Sequence, residues 1–163
     1  SGAGRSLKEA NLFPEVAEAV HPYGIGHHRH MPEIEQELSL RAGAPVIISF
    51  TPHLVPMNRG ELVTMIVETK ASVAALREAF VGRYIDEPFV HLLPEGVAPA
   101  TRMVRGSNHC VLNVFADRVP GRAIVIAAID NLVKGSSGQA IQNFNLMFDL
   151  PETTGLEAAP LFP

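Results

Sequence analysis

Cys110-Val111-Leu112-Asn113-Val114-Phe115-Ala116 and Ala123-Ile124-Val125-Ile126-Ala127-Ala128-Ile129, separated by Asp117-Arg118-Val119-Pro120-Gly121, decide the fold class of this chain. Both runs are apolar and rich in residues that suit a pleated surface, so they read as neighbouring strands. The connection is of hairpin length, which makes the pair antiparallel. Working outward, Leu62 to Thr69 reads as a strand buried on both faces, because nearly every residue is aliphatic or β-branched. Phe89 to Leu93 and the compact run Pro45 to Phe50 read as further short strands.

Helices punctuate these strands irregularly. Ser72 is placed to cap a helix in which Leu76, Phe80 and Tyr84 recur every fourth residue. Pro32 opens another, which carries Ile34 and Leu38 on one face and ends near Arg41 to Gly43. Gly138 to Phe148 repeats apolar residues at helical spacing, and a short helix is expected around Phe13 to Val20. The class is therefore α+β: a mixed or antiparallel sheet with helices on one face, the other face being free for a partner domain or subunit.

A chain of 163 residues is one domain with room for a proper core. A net charge of −4 with no basic run argues against a nucleic-acid partner. The longest apolar stretch, Ala123 to Ile129, is far too short to cross a bilayer, and no secretory leader is visible. A lone cysteine, Cys110, fits a reducing cytoplasm. The chain opens on Ser1-Gly2-Ala3-Gly4-Arg5 without a methionine, as a segment of a longer protein would.

The chemistry concentrates in His27-His28-Arg29-His30-Met31-Pro32-Glu33-Ile34-Glu35-Gln36. This order puts His28 and His30 on the loop entering a helix, with Glu33 in its first turn. A histidine held near a carboxylate in that setting is suited to proton transfer near neutral pH. One competing reading is a non-catalytic dimerisation domain; another is a metal module of cupin type, in which His28, His30 and Glu35 supply ligands. Pro32 opposes it by placing Glu35 on a helix, whereas such ligands sit on adjacent strands.

The Ser1-Gly2-Ala3-Gly4-Arg5 start, the His28-Arg29-His30-x-Pro32-Glu33-Ile34 run and Ala128-Ile129-Asp130-Asn131-Leu132-Val133-Lys134-Gly135 resemble one family: the N-acetyl-γ-glutamyl-phosphate reductases of arginine biosynthesis. Thr51-Pro52-His53-Leu54, Arg59-Gly60, Pro94-Glu95-Gly96 and Gln142-Asn143-x-Asn145-Leu146 add matches in the same order. The likeness spans essentially all 163 residues. It implies a single catalytic and dimerisation domain, with the fold of the C-terminal domain of glyceraldehyde-3-phosphate and aspartate-semialdehyde dehydrogenases. It also implies an N-terminal Rossmann domain and a nucleophilic cysteine, both before residue 1, with NADP(H) bound mainly by that absent domain.

The reaction so implied is reductive dephosphorylation of a small-molecule acyl phosphate by a cytoplasmic homodimer or higher homo-oligomer, with no resident metal. By position in the motif, His30 is the acid–base residue and Glu33 orients its ring. Tyr23, His28 and Arg29 lie on the substrate side, and Arg59 is a candidate for holding an anionic group. Ser1 and Gly2 resemble a small turn approached by the cofactor, and Asn131 resembles the residue that holds its nicotinamide amide. Two of these residues have plainer alternatives. Arg59 pairs with a neighbouring carboxylate, or Asn131 serves turn chemistry. Gln142, Asn143 and Asn145 decorate a helix docked on the absent domain, and Lys134 makes a contact outside this one. Cys110, which begins an apolar strand, is read as a small buried hydrophobe and not as the nucleophile.

Overall fold

The computed structural model describes Arg5 and residues 7–161. Ser1 and Gly2, the two expected cofactor-side residues, lie outside them. The described residues form two compact units, which meet in sequence at the Met57–Asn58 peptide.

The first unit begins with a short helix, α1 (Phe13–Val16), half the length expected. It stops because Ala17 is extended and Glu18 takes φ +58°, a left-handed conformation no helix can carry. A two-residue strand, β1 (His21–Pro22), then pairs antiparallel with β2 (His53–Leu54). Between them runs α2 (Met31–Ala42), with Pro32 in its first turn and Gly43 closing it at φ +67°. Pro45 to Phe50, expected as a strand, is extended but pairs with no sheet. Its backbone donors go to the helix instead: Val46 N–H donates to Ser39 Oγ at 2.9 Å and Ile48 N–H to Glu35 Oε1 at 3.1 Å. Ser39 and Glu35 are four apart, on one face of α2, and so catch alternate residues of the extended segment.

The second unit holds a four-stranded sheet of β3 (Glu61–Glu68), β4 (Val90–Leu92), β5 (Cys110–Ala116) and β6 (Arg122–Ile129), in the order β3-β6-β5-β4. The β5–β6 hairpin is antiparallel as expected, β3 is antiparallel to β6, and β4 is parallel to β5, so the sheet is mixed. The helix α3 (Val73–Tyr84), capped by Ser72 Oγ accepting from Ala75 N–H, packs Val73, Leu76 and Phe80 onto Val114, Ala123 and Val125. On the opposite face Val104 and Met103, from the turn before β5, cover Val111 and Ala128. Asn113 is fully buried in this otherwise apolar strand. Its Nδ2 donates to the Pro94 and Val97 carbonyls, pinning the loop after β4.

The edge strand β3 corrects the expectation of burial on both faces. Seven of its eight residues are exposed in the single chain, Leu62 at 52% and Ile66 at 64%. Its composition is that of a covered strand, but among the described residues only β6 pairs with it, on one side.

The last helix, α4 (Gly138–Met147), follows a π-turn at Val133–Ser137 and is oriented against the sequence reading. Gln142 and Asn145 are buried, whereas Phe144, Met147 and Phe148 are exposed. The two amides are turned inward by partners within the unit. Gln142 Oε1 accepts from Lys134 Nζ at 2.6 Å and Asn108 Nδ2 at 2.9 Å, and Asn145 Nδ2 donates to the Glu152 and Thr154 carbonyls. Lys134 thus has a partner inside the domain, and only Asn143 of the three amides faces outward.

Candidate functional site

The histidine run folds into a small cluster of rings. Tyr23 N–H donates to the Pro52 carbonyl beside the β1–β2 pair, and a turn closed by His27 N–H to the Gly24 carbonyl leads into α2. Gly24 permits this in two ways. It takes φ +58°, and a Cβ there would approach His28 Cδ2 to 2.8 Å. The His28 ring then lies edge-on to three others: Tyr23 at 5.4 Å, His30 at 4.9 Å and Phe50 at 5.3 Å between centroids.

The hydrogen bonds distinguish the two histidines. His28 Nδ1 accepts from the His30 backbone N–H at 3.3 Å, so that nitrogen bears no proton and the ring, when neutral, carries it on Nε2. Burial, then the charges of His30, Arg29 and His27, push the His28 pKa below its ordinary 6.5. His30 is the residue preceding α2, and its ring is exposed rather than sealed in the interior. Arg29 and Glu33 are likewise exposed. No hydrogen bond or ion pair joins His30 to Glu33, so the ring is flanked by His28 and not by the carboxylate. Glu35, the third ligand of the metal reading, lies on α2 with its carboxylate on Ile48 N–H. No group of three metal-ligating side chains occurs among the described residues.

The other expected residues gather in the second unit. Asp130, directly after β6, is fully buried and collects four donors. Leu132 N–H (2.9 Å) and Val133 N–H (3.2 Å) reach Oδ1, while Gly106 N–H (2.6 Å) and Arg59 Nη1 (3.2 Å) reach Oδ2. Burial by itself raises the pKa of this carboxyl. The bonds from Gly106, Leu132 and Val133 and the Arg59 charge outweigh it, and the net shift is below the ordinary 3.8. Asn131 Oδ1 accepts from Gly60 N–H at 2.7 Å, which fixes the plane of its carboxamide beside the same junction.

Thus Tyr23, His28 and His30 are brought together in one unit, and Arg59 and Asn131 in the other. Arg59 takes its plainer partner, a carboxylate, although about a third of its side chain remains exposed. Asp130 was missed as a functional residue; the visible signal was an Asp-Asn pair directly after a strand, where both side chains can accept from turn N–H groups. Cys110 is half-buried and burial pushes its thiol pKa up, opposite to what activates a nucleophile. No helix among the described residues is long and apolar enough to cross a membrane.

Three comparisons bear on this arrangement. Over its whole length the chain is 58% identical to an N-acetyl-gamma-glutamyl-phosphate reductase of Rhodospirillum rubrum, covering 47% of that protein. It is 57% identical to a probable chloroplastic N-acetyl-gamma-glutamyl-phosphate reductase of Arabidopsis thaliana, covering 41% of it. The chain therefore spans about half the length of the curated relatives it matches. Among solved structures, an aspartate semialdehyde dehydrogenase II from Vibrio cholerae superposes with a TM-score of 0.65 at 20% identity. That match covers 83% of this chain and 42% of the other, and it bears on the fold alone. A model of the family described as semialdehyde dehydrogenase, dimerisation domain, matches residues 1–131. With a mixed sheet and flanking helix of the same architecture, the chain belongs to the semialdehyde dehydrogenase dimerisation-domain family.

Proposed function

We propose that this chain is the catalytic and dimerisation domain of a reductase that converts N-acetyl-γ-glutamyl phosphate to N-acetylglutamate 5-semialdehyde. The 58% identity to a protein of that name, unbroken along all the chain, carries the reading. The 163 residues work as one domain, and the Rossmann domain and nucleophilic cysteine belong to the rest of the protein. The proposed setting is the cytoplasm.

In this reading a thiolate displaces phosphate from the acyl phosphate, leaving a thioester. Hydride addition to the thioester carbonyl gives an oxyanion that takes a proton and collapses to the aldehyde and thiol. NADP(H), when bound, supplies the hydride. The chain's own residues manage protons and orientation. His30 takes the thiol proton and returns one to the oxyanion, and its exposed position leaves it open to substrate. Glu33, not bonded to the ring in this structure, supplies negative charge one turn into α2. Tyr23, His28 and Arg29 line the substrate side, with His28 offering a neutral Nε2–H donor. Arg59 uses the edge of its guanidinium not taken by Asp130 for an anionic group. Asn131, its oxygen held by Gly60, fits the task of pairing with a nicotinamide carboxamide, since a carboxamide of fixed plane can pair with another. Ser1 and Gly2 complete the cofactor side.

The full-length protein tests this directly. With N-acetylglutamate 5-semialdehyde and NADP⁺, NADPH should appear only when inorganic phosphate is present. Phosphate-independent turnover, or none, would defeat the reading.

A second copy of the chain is the proposed partner. Leu62 and Ile66 on β3 share a sheet face with the partly exposed Ile124 and Ile126 of β6, an apolar surface suited to a matching one. Lysine at position 66 is tolerable in the monomer because Ile66 is exposed, but it would bury an unpaired charge in such an interface. Ile66→Lys should raise the dimer dissociation constant at least about tenfold by light scattering. An unchanged constant would remove this face from the interface.

A further inference from the structure

Far from the histidine run in sequence, a second pair of imidazoles spans two strands. His91 Nε2 and His109 Nδ1 are 2.8 Å apart, and their ring centroids are 4.7 Å apart at 53°. That is a hydrogen bond in which one nitrogen must donate and the other must accept. His91 lies on β4 and His109 directly precedes β5, so the bond ties the parallel pair together from the side-chain layer. β4 has only three residues, lies at the sheet edge and pairs only with β5. Its other ties to β5 are a few backbone bonds, including Cys110 N–H to the Phe89 carbonyl at 2.7 Å and Leu93 N–H to the Leu112 carbonyl at 3.0 Å.

We propose that His91 and His109 form a proton-operated latch on the edge strand β4, closed while at least one of the two rings is neutral and can accept, and opened when both are imidazolium. With two imidazolium rings neither nitrogen can accept, and two positive charges face each other at hydrogen-bond distance.

The surroundings favour opening over accommodation. His109 is half-buried, one side of its ring packed against the buried ring of Phe89, 5.8 Å between centroids, so that side is closed to water. The Lys134 ammonium, 5.5 Å from the centre of the same Phe89 ring, adds a third positive group from the π-turn. The thiol of Cys110 faces Lys134 from β5, neutral because burial raises its pKa. The carboxylates of Glu87, after α3, and Glu152, after α4, act on Lys134. Burial, then His91, then Lys134 lower the proton affinity of His109. The folded chain thus binds that proton less readily than the unfolded one. The contribution to stability is complete above the ordinary value of 6.5 and is lost as pH falls toward the lowered value.

Hydrogen exchange on the full-length protein tests the latch, with exchange times scaled for intrinsic rates at about pH 7.5 and about pH 5.5. The readout is the ratio of protection at the two pH values for the amides of residues 90–93. Wild type should lose about tenfold in protection on acidification. His91→Gln and His109→Gln, which keep a neutral hydrogen-bonding group without the titration, should each give a ratio near one. Since every variant is compared with itself, a general loss of stability leaves the readout intact. A wild-type ratio near one, or a ratio as large as wild type's in either glutamine variant, overturns the proposal.

Discussion

His30→Ala in the full-length protein should lower kcat for the proposed reduction by about two to four orders of magnitude, the usual worth of a positioned acid–base group. The affinity for NADP(H) should stay close to wild type, because the cofactor is proposed to sit mainly on the other half of the protein. The fold should survive, since the ring is exposed and its recorded side-chain contact is edge-on to His28. The pH profile separates a chemical role from a structural one. If His30 carries the proton, the limb of kcat/KM that reports it disappears in the variant, while a mere packing defect lowers the whole curve without changing its shape. Near-wild-type turnover in His30→Ala would remove the assignment, whatever the fate of the family reading.

The largest effect on stability should come from Asp130→Ala. That change removes the carboxylate acceptor of the Arg59 guanidinium and of the Gly106 and Leu132 N–H groups, while Val133 N–H keeps the Asp130 backbone carbonyl. Arg59, about a third exposed, keeps access to water, so the cost comes from the backbone donors left without an acceptor, about 1–3 kcal/mol for each one that stays buried. Asp130→Asn should cost less, since an amide oxygen still accepts, but its NH₂ then faces a donor. Urea unfolding of the second unit, followed by exchange at β6, measures both. The same carboxylate ties stability to acid. Its pKa lies below the ordinary 3.8, so its contribution is present above that value and is lost as pH falls through the lowered one. A midpoint for Asp130→Ala equal to wild type's would show that the network holds nothing together.

Elements specified by near neighbours were legible. The β5–β6 hairpin follows from two apolar runs and a short connection. α3 follows from Ser72 and its fourfold spacing, and α2 from Pro32 at one end and Gly43 at the other. Failures occurred where the partner is distant or lies outside the chain. Pro45 to Phe50 has strand composition, but composition does not say that Ser39 and Glu35 will take its donors. The apolar character of β3 suggests burial, yet seven of its eight residues are exposed in the single chain. The Gln142 and Asn145 amides were read as surface because their inward partners, Asn108 and Glu152, adjoin α4 only in the folded chain. At the site, three rings adjacent in sequence could be found by inspection. Asp130 and Arg59 are 71 positions apart, and only the fold makes them a pair.

The bare edge of β3 has a consequence for the cell as much as for the assembled molecule. A newly made chain must pass through an interval in which Leu62 and Ile66 face solvent and the outer edge of β3 has no neighbouring strand among the described residues. Any other extended polypeptide can add to that edge, so partner encounter competes with aggregation, and slow assembly favours the wrong outcome. In the proposed dimer, yield on overexpression depends on how fast two copies meet as well as on how stable each becomes. Co-synthesis with chaperones, or slower production at lower temperature, gives the correct encounter time to win.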